Sequence, residues 1–279
     1  MKLLKNLLKS PMFVIGTVLF FGTLLVALFG PLFYNITMVR VEGGQPYAPL
    51  GGGYMLGLDH LGRDYVSLLL SGLRSSLYVG FLAGIIATTI GTLIGIYGGF
   101  RGGLVDDLLN MMTNLFVVIP QFVVLILISS SIREGRSLTL IAIIIGMTGW
   151  TWSARAVRAQ ASALKSKDHI SLARLNGDNV LRVILVHILP YIFSYVFMVF
   201  IIQVASGILS ESAISMIGLG PLDTTSLGTI LNDARNNGAL GDGVWWAFVP
   251  ATVVITVIVF ALYLINTSME GVFNPRLRK

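Results

Sequence analysis

Cysteine is absent from all 279 residues, which excludes disulfide frameworks, thiolate zinc sites, iron–sulfur clusters and a thiol nucleophile. The three histidines, His60, His169 and His187, show no metal-ligand spacing, so no metal site is expected in this chain. Charge is scarce too: 11% of residues carry one, against roughly 25% in a soluble domain. That figure excludes an ordinary globular protein. It also removes a soluble nucleic-acid binder and any nucleic-acid partner, although 19 basic residues outnumber 13 acidic ones. There is no G-x-x-x-x-G-K-S/T phosphate loop, no H-E-x-x-H pair and no G-x-S-x-G elbow. ATP binding by that loop, zinc proteolysis and esterase chemistry drop out with them. No catalytic residue is expected, and the chain is not read as an enzyme.

What is present is apolar length. Hydrophobic residues make up 55% of the chain, with a mean hydropathy of +0.84. Six stretches stand out, at Pro11–Phe33, Ser75–Phe100, Leu108–Ile132, Leu138–Trp152, Tyr191–Ile217 and Val244–Asn266. A spanning helix needs about 20 mostly apolar residues, and all but the fourth meet that; the fourth continues through Ser153 toward Arg155 or tilts little. No alternating pattern of a β-barrel is visible. The expected fold is an all-α membrane bundle of six transmembrane helices. Lys2, Lys5 and Lys9 precede the first stretch, but its length exceeds a signal-peptide core, so it is read as a retained spanning helix.

Orientation follows from the basic residues. With the N-terminus inside, 13 of the 19 lie on inner segments and 6 outside. The positive-inside bias then places both termini in the cytoplasm of a cell (inner) membrane. The chain divides into residues 1–33, an N-terminal segment with the first helix; 34–74, an extracytoplasmic loop; and 75–279, a five-helix core. Within that core lies a cytoplasmic loop, 153–190, whose Ser153–Leu189 stretch carries six basic residues.

Glycine and proline punctuate the helices. Gly80 and Gly84, then Gly91 and Gly95, recur at four-residue spacing, as expected of close helix packing in lipid. Pro120, followed by Gln121, interrupts the third stretch and predicts a kink, which either lines a pathway or is absorbed by packing. Glu211 is the clearest acid within the membrane. Its desolvation cost requires a polar environment, either the interior of a pore or a hydrogen-bonded packing role, and never lipid.

The inner loop reads as an elbow. A helix starts near Asp168 and stops at Gly177, where a left-handed residue closes the end. Asp178 or Asn179 then caps a second helix through Val180–His187, and Pro190 suits the first turn of the next spanning helix. Such a basic, partly apolar elbow fits docking onto another protein, or rest on anionic membrane lipid.

These residues carry a resemblance. Ala173, Gly177, and His187-Ile188-Leu189-Pro190 at their spacing resemble the EAA loop of ABC importer permeases. Gly57-Leu58-Asp59-His60-Leu61-Gly62-Arg63-Asp64, with Gly72-Leu73-Arg74-Ser75-Ser76-Leu77, resembles the outer signature of the C-type subunit of dipeptide/oligopeptide/nickel permeases. Tyr97-Gly98-Gly99, Asp106, Pro120, the run Glu211–Gly220 and the tail Asn274-Pro275-Arg276-Leu277-Arg278 match in order. The family's Glu-Ala-Ala stands here as Ser171-Leu172-Ala173, its Gly-Thr-Asp as Gly57-Leu58-Asp59, and its Asp before the terminal Pro-Arg as Asn274.

The resemblance implies a type I ABC importer permease (MetI-like) bundle with a cytoplasmic EAA coupling elbow. It implies a second, B-type permease subunit completing the pathway and two ABC ATPase subunits beneath, which bind ATP and Mg. It also implies an extracytoplasmic solute-binding protein that delivers the solute. No cofactor is expected in this chain. Ala173, Arg174, Gly177, Asp178, His187 and Pro190 are the expected coupling residues, and Glu211, Pro120 and Gln121 the candidates for pathway or assembly. Oligopeptide is the first substrate class, before oligosaccharide and nickel. An ATP-independent secondary transporter or channel is the alternative of another class.

Overall fold

A computed structural model describes residues 7–34, 44–51, 53–132 and 134–273. Lys2, Lys5, Arg133 and the matching tail Asn274–Arg278 lie outside the described residues. The described elements are helical, joined by turns and two isolated β-bridges. Helix α1 (Pro11–Phe33) begins with proline at its first position, where no N–H is needed. It is followed by α2 (Tyr65–Arg101), α3 (Gly103–Val118), α4 (Gln121–Ser131), α5 (Leu138–Lys165) and α6 (Asp168–Leu175). Then come α7 (Val180–Met216), α8 (Leu227–Asn236) and α9 (Val249–Phe273). Five of these helices are long and apolar enough to cross a membrane, and α3 with α4, bent by 74°, brings the count to six when the pair is taken as one span. The six-span expectation holds.

The boundaries differ from the apolar stretches, because polar residues that complete a helix do not register in hydropathy. α2 starts ten residues before Ser75, at Tyr65, capped by Asp64, whose Oδ2 accepts from the Ser67 N–H at 2.9 Å. Residues 65–74 of the expected outer loop are therefore helix. At 37 residues α2 is about 55 Å long, against a hydrocarbon core of about 30 Å, so it projects well beyond the bilayer. α5 likewise runs on from Trp152 to Lys165, and the first third of the expected 153–190 loop is helical extension.

α2 is the central post. Gly80 and Gly84 face α7, where a Cβ on Gly84 would stand 2.8 Å from Val204 Cγ2. Gly91 and Gly95 face α5 instead, and a Cβ on Gly95 would lie 2.5 Å from the Ala154 carbonyl oxygen. The two pairs make two seams on one helix. Ser153 sits in the second seam and donates its hydroxyl to the Ala87 carbonyl at 2.9 Å. α1 lies against α9, and α8 caps the end of α2 and α7. Pro190 falls in the first turn of the α-helical stretch Leu189–Met216, as expected. α7 is continuous from Val180, with a π-helical stretch at Val183–Ile188 just ahead of the proline. The widened turn accommodates a ring that excludes an ordinary hydrogen bond four residues back.

Candidate functional site

Local chemistry fixes the elbow between α6 and α7. α6 ends with the Gly177 N–H on the Arg174 carbonyl at 3.0 Å and the Asp178 N–H on the Ala173 carbonyl at 3.1 Å. This pair of bonds defines a Schellman stop, which requires a left-handed residue; Gly177 provides it at φ +84°. Asn179 is the cap of α7, accepting from the Arg182 N–H at 2.8 Å. Asp178 does something else: its Oδ1 lies 3.3 Å from Arg182 Nε and its Oδ2 3.1 Å from His187 Nε2. It locks the turn to the helix that follows.

The elbow is seated on the bundle by small and aromatic residues. Ile170 and Ala173 are buried with Phe100, Val157 and Ala161. The Arg174 guanidinium lies 4.4 Å over the Phe100 ring, a cation–π contact, and His169 stacks on Tyr191 at 4.7 Å. Ala173 therefore faces inward. Its size permits packing on the chain's own helices, so this expected coupling residue supports the elbow from within. The outward side is a ridge of leucines, Leu172, Leu175, Leu181 and Leu185, with Leu175 82% exposed.

The second feature is the break at Ile119–Pro120, where α3 and α4 meet at 74°. The residue before proline is driven out of the helical region, and Ile119 is extended at ψ 118°. The expected kink is a complete interruption. Non-helical backbone at membrane depth is tolerated where protein buries it or where it lines water. Val118 is 80% exposed in this chain, so another surface or water meets the break. Gln121 stands beside Gly149, to whose carbonyl Gln203 Nε2 donates at 2.9 Å.

Glu211 reaches no surface of the chain; it is 0% exposed. It accepts from Ser76 Oγ at 2.8 Å and Ser215 Oγ at 2.6 Å, and Ser76 Oγ accepts the Leu227 N–H at 3.1 Å. One carboxyl thus joins α2, α7 and the start of α8. Beyond it, Asp59 gathers the Leu61 and Arg63 N–H groups and the Arg63 guanidinium, at 2.6–2.9 Å. Arg63 also reaches Asp233 of α8 at 3.5 Å. Burial pushes the Asp233 carboxyl up, opposed by His60 and Arg63.

Residues 87–279 match the family described as binding-protein-dependent transport system inner membrane component. The chain belongs to this family. The permease is accordingly a multi-pass membrane protein with a transport role and is not an enzyme. It is 28% identical, over 98% of its length and 93% of the relative's, to the oligopeptide transport system permease protein OppC of Lactococcus lactis subsp. lactis. It is 29% identical to a putative peptide transport system permease protein of Brucella suis biovar 1, covering 98% and 91% of the two chains. OppC of Mycobacterium tuberculosis is 29% identical over 82% of this chain and 78% of its own.

Of the predicted residues, the permease brings Ala173, Arg174, Gly177, Asp178 and His187 into one elbow, with Pro190 on the helix leaving it. Pro120 and Gln121 stand at the break, and Glu211 lies apart from both. The sequence reading missed the leucine ridge. It also missed Asp107, Asn110 and Asn114, whose three- and four-residue spacing places them on one face of α3.

Proposed function

We propose that the permease forms half of the translocation pathway of an ATP-driven oligopeptide importer. The observation that carries this is the elbow: a turn braced by the Schellman bonds and Asp178, seated on α2 and α5, with an apolar ridge left uncovered. A rigid lever of that kind passes a push from a partner into the spanning helices instead of losing it in loop flexion. Both termini and the elbow face the cytoplasm, and residues 34–74 face outward. Of the two ABC ATPase subunits, which bind ATP and Mg, one docks on the ridge. A B-type permease subunit meets the broken span, and an extracytoplasmic solute-binding protein delivers the peptide. The relatives' peptide-transport names support the substrate class.

The test is to purify the permease with these partners and reconstitute it. Leu175→Asp with Leu181→Asp places two charges on the ridge and is expected to strip the ATPase subunit docked there while the two permease subunits stay together. Full ATPase stoichiometry and full coupled peptide uptake in that variant would sink the docking role.

A further inference from the structure

α3 belongs to a membrane span, yet one of its faces is polar. Asp107, Asn110 and Asn114 follow one another at three- and four-residue spacing and line an open groove of about 350 Å³ with Met111, Leu115 and Val118. Around them the helix is apolar and exposed, at Leu104, Leu108, Met112 and Phe116 among others. The other acid of this turn, Asp106, is already taken up: Arg158 Nε and Nη2 donate to its two oxygens at 2.6 and 2.8 Å. Asp107 and Asn114 are exposed, and Asn110 between them is half-buried. The groove ends at Val118, beside the Ile119–Pro120 break. Side-chain amides facing lipid would have nothing to bond to, and such groups in spans face a cavity or a partner.

We propose that this stripe is a peptide-binding subsite that reads the main chain. The inference rests on the importer reading above and names how its substrate is held. An asparagine amide offers a donor and an acceptor together, the complement of a peptide group's C=O and N–H. Two such residues a turn apart, about 6 Å, match alternate peptide groups of an extended chain, about 6.6 Å apart, whatever the side chains are. Asp107, the carboxylate at the end of the stripe, attracts the peptide's terminal ammonium. The chemistry does not fit nickel. A nickel path calls for clustered imidazole or carboxylate ligands, and this groove offers one carboxylate.

The experiment uses the whole reconstituted complex and three tripeptides, with alanine, lysine or phenylalanine at the central position. Asn110→Leu/Asn114→Leu keeps the branched side-chain shape and removes the amides. Uptake of all three peptides should fall by roughly tenfold or more, the scale of losing one or two hydrogen-bonded pairs, with subunit stoichiometry unchanged. Asp107→Asn should lower uptake of free peptides and leave N-acetylated ones at the wild-type rate. Unchanged uptake in the double variant overturns the proposal. Loss of the second permease subunit from the complex also overturns it, because the stripe is then an intersubunit contact. Should the unaltered complex take up none of the peptides, the importer reading falls, and this subsite with it.

Discussion

Glu211 shows how one residue can be costly and structural at once. Its carboxyl holds two serine hydroxyls from α2 and α7 in a site with no exposure. Replacing it with leucine leaves both hydroxyls without their acceptor, at about 1–3 kcal/mol, while glutamine keeps the volume and an acceptor oxygen. Glu211→Leu is therefore expected to lower the melting temperature of the detergent-purified complex by several degrees. Glu211→Gln should stay near the wild-type value with uptake retained. If the glutamine variant melts normally yet transports nothing, the charge has a role in the pathway that the buried geometry does not account for. Just ahead of α2, the two acids around Arg63 should respond differently. Asp59 accepts from two backbone N–H groups and the guanidinium, so Asp59→Asn is expected to destabilise the segment by about 1–3 kcal/mol. Burial already disfavours the charge on Asp233, and Asp233→Asn should be nearly silent in the same melt. A larger loss at Asp233 than at Asp59 would reverse this assignment.

At the scale of elements, the elbow behaves as a unit whose parts fail in distinguishable ways. A Cβ at Gly177 meets nothing within 4 Å, so valine there costs only the left-handed backbone, about 1–3 kcal/mol. That is enough to move the turn and far too little to unfold helices that keep their own hydrogen bonds. Gly177→Val should assemble with its partners yet hydrolyse ATP with reduced peptide uptake per ATP; an unchanged ratio would count against coupling through the turn. Ala173→Trp acts on the other side. The indole would be forced between α6 and the Phe100–Val157 core, and the expected outcome is an unseated α6, read as faster proteolysis within residues 166–179. α3 depends on α5 in a similar way. Asp106→Asn removes the bidentate partner of Arg158, and α3 should loosen where only that pair and a few apolar contacts hold it.

For the whole molecule, the proposed orientation makes a direct prediction. The chain has no cysteine, so single substitutions report cleanly. Met55 lies between α1 and α2 and is 72% exposed; Met55→Cys should label in intact cells with a membrane-impermeant maleimide. Lys165→Cys, at the end of α5 beside the elbow, should label only in inverted vesicles. The opposite pattern turns the bundle over and removes the elbow from any cytoplasmic partner.

The sequence by itself determined the class of this protein: an α-helical, multi-pass permease, with an elbow stopped at Gly177 and a proline-broken third span. These features are local. Apolar length, a left-handed stop and a missing N–H act within a few residues, so composition and spacing carry them. Tertiary structure decided where side chains face. Ala173 and Leu175 are both small or apolar residues of one short helix, and only the packing on Phe100 and Val157 buries the first and leaves the second to solvent. Gly84 and Gly95 look alike in sequence but serve different seams, because α2 turns one side to α7 and another to α5. Glu211 could have faced a pore until Ser76, 135 residues away, was placed against it. Such choices depend on contacts between residues far apart in the chain, which no local pattern encodes.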